Sequence, residues 1–274
     1  MRVYTSQCAM KICAPIWAIE YDIALEYFSL PFSKRDRERE RKWLELQIHK
    51  EWCGSGVYGG SGETVETLIA KAAAAISKDN AQCDWKHLKE NSEILDFAND
   101  ELSHYVSMLS LYRQFFSMES KEDMLSWGCS GEAIKLSEMR YSFRGDPLGL
   151  VAVRLSEGGG LGLFYGIRDS FANFDNLEEF DLVLLDVVNR ILKDEEGHLT
   201  SNFIFADQIL SDDPSWEVVV EILKKISIQK VREREEQFGV ERREVMNYSK
   251  GRICHPYMER HCNNLLTRLA LEGK

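Results

Sequence analysis

Apolar residues recur at spacings of three and four along residues 88–118, "LKENSEILDFANDELSHYVSMLSLYRQFFSM", and again along 176–210, "NLEEFDLVLLDVVNRILKDEEGHLTSNFIFADQIL". That spacing lines up one apolar stripe on a helix, so each stretch predicts a long amphipathic helix. Residues 62–78, "GETVETLIAKAAAAISK", are rich in helix formers and predict a helix ahead of the first of these. Pro147 opens a further segment, "PLGLVAVRLSEGGGLGLFYGIRDSF". Its run "LGLVAVRL" would suit a buried strand by composition, but its neighbours are helical and no partner strand is evident, so helix is expected there too. Residues 215–238 and 253–272 predict two more helices, and the apolar, aromatic residues 1–30 a docked segment with a short helix. The mixed-charge run that begins 33–52 predicts a solvated helix face. "CGSGVYGGSG" (53–62) reads as a loop; it lacks the Lys-Ser/Thr ending and the preceding strand of a phosphate-binding loop.

Turn signals arrange the helices. "DNAQCDW" (79–85) joins helices one and two into one antiparallel hairpin, and "FANFDNLEE" (171–179) joins three and four into another. Residues 119–146 between the hairpins are long enough for the crossover of one four-helix-bundle topology. The expected fold is all-α: a four-helix bundle with a long crossover and additional N- and C-terminal helices. We expect a single domain over 1–274, with the bundle core at about 60–210, an N-terminal extension at 1–59 and C-terminal helices at 211–274.

Composition changes this picture little: of 274 residues, 44% are hydrophobic, enough for a substantial core. The net charge of −11 repels phosphate backbones and argues against a nucleic-acid partner. Seven cysteines, an odd number, occur without a CxxC, no secretory leader is visible, and no apolar run reaches membrane-spanning length. These features lead us to expect a reduced cytoplasmic protein with free thiols and no membrane partner.

The chemistry lies in two short motifs. "NDELSHYV" (99–106) sets Glu101 three residues before His104, and "KDEEGHLT" (193–200) sets Glu195 three before His198. On a helix, such a pair shares one face about a turn apart, so both can point at a common centre. Reflecting Glu101 through the first turn lands near position 64, where Glu63 and Glu66 stand; reflecting Glu195 through the second lands near 155, beside Glu157. Glu66 is preferred to Glu63, which falls in the first turn, where an acid also serves the helix dipole. The set Glu66, Glu101, His104, Glu157, Glu195 and His198 offers four carboxylates and two imidazoles. Hard oxygens with borderline nitrogens suit iron or manganese, and four carboxylates offset most of the charge of two divalent ions.

On Glu66, "ELSH", Glu157 and "EEGH", over roughly residues 60–210, the chain resembles the ferritin-like di-metal carboxylate superfamily. The resemblance implies one His and one terminal Glu per metal with two bridging Glu residues, and O2 activation between two Fe ions, with Mn/Fe possible. It implies catalytic roles for Glu101, Glu157 and Glu195. The expected activity is that of a di-iron oxidase or oxygenase acting on a small organic substrate, with O2 and an electron donor as partners and a homodimer as the assembly. The alternatives are a ferroxidase or iron-handling protein, and a non-catalytic helical binding protein with a vestigial metal site. The arylamine N-oxygenases of this superfamily carry a further His one turn before the final ExxH; Ile191 stands there.

Around these residues several readings stay open. Gly158, Gly159 and Gly160, with Ala72 to Ala75, permit either an opening beside the metals or close helix packing. Phe164, Tyr165 and Phe171 could line such an opening or pack in the core. Asp100 and Asp194 could orient a His on a neighbouring helix or face solvent. Tyr105, Tyr112 and Tyr165 could be redox-active, or buried with satisfied hydroxyls. "CHPYMERHC" (254–262) holds Cys254, His255, His261 and Cys262, but its spacing fits no standard zinc site.

Overall fold

Caps and helix breakers in the sequence set the observed helix ends. A computed structural model describes residues 5–53, 65–81, 85–116, 131–143, 145–240 and 255–272, with backbone alone at 53, 65–68, 71, 79–81, 85–91 and 93–94. The elements are α1 (Ser6–Tyr27), a 3-10 turn (Phe32–Lys34), α2 (Arg37–Cys53), α3 (Val65–Ala81), α4 (Trp85–Phe115), α5 (Gly131–Ser142), α6 (Pro147–Leu155), α7 (Glu157–Phe171), α8 (Glu179–Ile209), α9 (Asp213–Phe238) and α10 (Asn263–Glu272). A π-helical turn at Met258–Cys262 leads into α10. No strand occurs among the described residues, so the all-α expectation holds.

Asp146 caps α6 by accepting from the Leu148 amide, with Pro147 beside it in the first turn. Asp212 caps α9 in the same way, accepting from the Ser215 amide at 2.7 Å. α9 ends at Gly239 in the left-handed region (φ 63°), where glycine meets no Cβ penalty.

The hairpins α3–α4 and α7–α8 form as expected. The third bundle segment is interrupted, however: Ser156 separates α6 from α7, and Lys230 Nζ donates to its carbonyl at 2.9 Å. The interruption falls directly before Glu157.

The N-terminal residues dock as expected, but through a long helix in place of a short one. α1 runs along α7 and α9 and buries Trp17, Ile19, Tyr21 and Ile23 in the one hydrophobic cluster of the core. α2 packs on α4 and buries Trp43, Leu44 and Ile48 there. The start of its charge run is solvated as expected, but Arg35 and Glu40 are buried. Arg35 pairs with Glu40 at 3.0 Å and with Asp181 of α8 at 2.5 Å. Buried pairs recover little more than their desolvation cost, so this triad chiefly fixes where α2 starts against α8.

The glycines of α7 resolve toward close packing. A Cβ at Gly162 would lie 2.5 Å from the Trp17 carbonyl oxygen, and one at Gly166 would lie 2.4 Å from that of Tyr21. Only residues without a Cβ let the two backbones approach so closely. Ala73 and Ala74 are exposed, so they line no internal opening.

Candidate metal centre

Five of the six residues singled out from the sequence have described side chains, and the structure brings all five together. Glu101 and His104 lie one turn apart on α4, and Glu195 and His198 one turn apart on α8. The ExxH faces of the two helices meet in the core, and Glu157 enters from the first turn of α7. Glu101, Glu195 and His198 each offer a ligand atom within 4.8 Å of the others.

A second group with the same spacing consists of Glu51, Glu101 and His104. Glu51 comes from α2, which the sequence reading did not consider. Glu66, its candidate for a lone carboxylate on this side, has its side chain outside the described residues, and Glu63 lies outside them altogether. A signal for Glu51 was present: Leu44, Ile48 and Glu51 follow helical spacing, so an acid continues an apolar stripe. All three are buried. Glu101 belongs to both groups.

The histidines are held crosswise. His104 Nε2 lies 3.2 Å from Asp194 Oδ2, and His198 Nε2 lies 3.1 Å from Asp100 Oδ2. Each Asp precedes the Glu of one motif and serves the His of the other, as one of the two open readings anticipated. With Nε2–H donated to Asp, the Nδ1 lone pair of each ring faces the centre. Both Nδ1 atoms are buried without a hydrogen-bond partner, and each lies 3.7 Å from Glu195 Oε1. Buried nitrogens rarely go unpaired, and this geometry fits two metal-binding imidazoles facing a shared carboxylate.

Amides position two of the acids, neither amide having been anticipated. Gln47 donates to Glu51 Oε1 at 2.6 Å, and Asn202 donates to Glu157 Oε2 at 2.9 Å. Crowding of acids sets the electrostatics of the site. Burial and the carboxylates of Glu51, Glu195 and Glu157 raise Glu101 well above the usual range. Burial, then Glu195, raises Glu157 to about 8. Burial alone would lower His104, but Glu51, Glu195 and Asp194 outweigh it and raise it to about 9. His198 moves up in the same way, with Glu195, Glu157 and Asp100 outweighing burial. Burial would raise Glu51, but the nearby His104 ring, 3.6 Å away, and the hydrogen bond from Gln47 hold it low. The donor set, carboxylates with two imidazoles, is of a kind that could hold a metal ion.

Beside these residues lies a cavity of about 60 Å³. Its wall combines four acids, Glu51, Glu101, Glu157 and Glu195, with four basic side chains, Lys50, Arg140, Lys230 and Arg234, and with Gln47, Phe164 and Gly160. Burial lowers Lys50 to about 7 and Lys230 to about 8, against the pull of Glu233 and Glu20 respectively.

The remaining candidates sort into structural roles. Tyr112 donates to Glu45 at 2.8 Å, Tyr165 donates to Glu196 and stacks on His261, and Tyr105 packs beside Trp52. Phe171 packs edge-on against Phe28 in the core, while Phe164 reaches the cavity. His255 pairs with Asp22 and His261 with Asp169, each at 3.0 Å, so these two share no centre. Cys254 lies outside the described residues. Among the described residues, no helix is long and apolar enough to cross a membrane.

Compared with protein-family models, with curated proteins and with solved structures, the chain matches none.

Proposed function

We propose that the chain is a non-haem di-iron oxidase or oxygenase of ferritin-like type, which activates O2 between two carboxylate-bridged ions to oxidise a small organic substrate. The observation that carries this reading is the crosswise pair of histidines, each tied at Nε2 to an Asp of the opposite helix and each turning an unpartnered Nδ1 toward Glu195. Glu51, Glu101 and His104 would hold one ion, and Glu101, Glu195, His198 and Glu157 the other. When bound, such a pair supplies the electrons that reduce O2.

The protein's own part is positional. Asp100 and Asp194 keep the Nδ1 lone pairs turned inward, and Gln47 and Asn202 fix Glu51 and Glu157. The buried surroundings exclude water and strengthen every charge interaction inside. Four basic side chains on the cavity oppose a traffic of iron cations, which favours an oxygenase over a ferroxidase. Manganese in place of one or both irons is compatible with the same donors.

Elemental analysis tests the reading, on protein grown with iron and manganese, beside a Glu101→Ala/His198→Ala variant. The expected result is about two metals per chain in the parent and almost none in the variant. The reduced parent, but not the variant, should consume O2. Fewer than about 0.2 metals per chain in both would overturn the proposal.

A further inference from the structure

The basic side chains of the cavity have no part in the metal set, and their partners are unevenly shared. Lys50 is paired with Glu233 at 2.6 Å, and Arg234 with Glu20 at 3.3 Å. Lys230 and Arg140 instead donate to neutral groups of one residue: Lys230 to the Ser156 carbonyl at 2.9 Å, and Arg140 to the Ser156 hydroxyl at 3.3 Å. Arg140 Nε is buried with no partner at all. A guanidinium carries five donors and an ammonium three, so both side chains have hydrogen-bonding capacity to spare beside an open space.

The charges point the same way. Two divalent ions would balance the four glutamates of the ligand set. Arg140 and Lys230 are then left to share the field of Glu20 and Glu233, the acids already paired with Arg234 and Lys50. An uncompensated charge in a buried site is costly, and an anion entering the cavity would relieve the surplus.

We propose that Arg140 and Lys230 form the subsite for the carboxylate of a small organic acid, which is the substrate of the neighbouring metal centre. The inference rests on the di-metal reading and names the chemical class of its substrate. Three helices converge to build the subsite: Lys50 from α2, Arg140 from α5, and Lys230 and Arg234 from α9. The Ser156 break between α6 and α7 supplies the backbone carbonyl that holds Lys230 in place. The cavity, of about 60 Å³, has room for the planar head group of a carboxylate beside these donors. Phe164 offers an apolar flank for the carbon skeleton. Gly160 leaves the approach open: a Cβ there would meet only Lys230 Nζ, at 3.8 Å. An amine would face the same basic side chains and be repelled.

The test uses the full chain loaded with Mn(II), as parent, Arg140→Gln and Lys230→Gln. Metal content is counted first. Each protein is then titrated calorimetrically with acetate, butanoate, benzoate, inorganic phosphate, butanamide and butylamine. The expected result is about two metals in all three proteins, with at least one carboxylate bound by the parent and held about tenfold or more weakly by both variants. The inference is overturned if butanamide or butylamine binds as well as butanoate, if phosphate is preferred, or if the variants keep the parent's affinity. It is also overturned if the variants lose metal instead, since the basic side chains would then merely balance the ligand carboxylates. Two metals in a parent that binds no carboxylate would defeat this inference alone. No metal in the parent would defeat the di-metal reading and this inference with it.

Discussion

Replacing Glu51 by Gln removes the charged oxygen that faces His104 and changes little in shape, since Gln47 can still bond the new amide. We expect Glu51→Gln to bind at least one fewer metal than the two proposed for the parent, and Glu66→Gln to match the parent, as elemental analysis of the two variants would reveal. Metal lost in Glu66→Gln and kept in Glu51→Gln would return the fourth carboxylate to α3. A finer change is Asp100→Asn, which leaves every ligand in place but weakens the hold on His198 Nε2. Losing such an orienting partner costs about ten- to a hundredfold in metal affinity, which competition with a chelator would measure. Both motif pairs and both orienting acids were legible, because helical spacing alone puts Glu and His on one face and the preceding Asp on the adjacent one. Glu51 was hidden by its setting: it ends a segment whose opening charges advertise solvent. Gln47 and Asn202 were illegible for another reason, since an amide carries no pattern until its acceptor is known.

At the scale of elements, the hairpins followed from turn residues and apolar periodicity, while the contact of α1 with α7 did not. Glycine in a helix signals that something comes close without saying whether it is a ligand or a neighbouring backbone. Here it is the backbone of α1, and this gives a sharp expectation. Gly166→Ala would drive a methyl against the Tyr21 carbonyl, which cannot swing aside as a side chain would. Overpacking of this kind costs about 1–3 kcal/mol. A denaturant titration should show that loss, whereas Gly197→Ala, where a Cβ meets nothing within 4 Å, should leave stability unchanged or slightly raised. A Gly166→Ala protein as stable as the parent would mean that the two helices lie further apart than described.

Taken whole, the molecule gathers one cluster of ionisable groups in its interior, and its response to pH should follow. In the metal-free protein, Glu101, Glu157, His104 and His198 all hold their protons more tightly than in the unfolded chain. The folded state therefore binds more protons, and stability is lost as pH rises. Glu157 contributes fully only below the ordinary carboxylate range and loses its contribution through about 8. The contribution of His104 is complete below about 6.5 and is lost through about 9. Glu51, shifted the other way, is ionised across this window and does not alter the trend. The Tm of the metal-free protein should fall between pH 6.5 and 8, above which Lys50 and Lys230, lowered to about 7 and about 8, act in the opposite sense and offset the trend; metal, which displaces the protons of the acids and histidines, should flatten the profile. A flat profile without metal would show that the four groups do not share one field.

The crosswise ties also bear on how such a chain can change over time. Asp100 is answered by position 198 and Asp194 by position 104, partners separated by 98 and 90 residues. Neither DExxH stretch is therefore a self-contained cassette, because each supplies the support for the other's histidine. A divergent descendant that altered one acid would come under pressure at a position some ninety residues away. Among relatives, paired substitution at 100 with 198, and at 104 with 194, would be the historical trace of this arrangement.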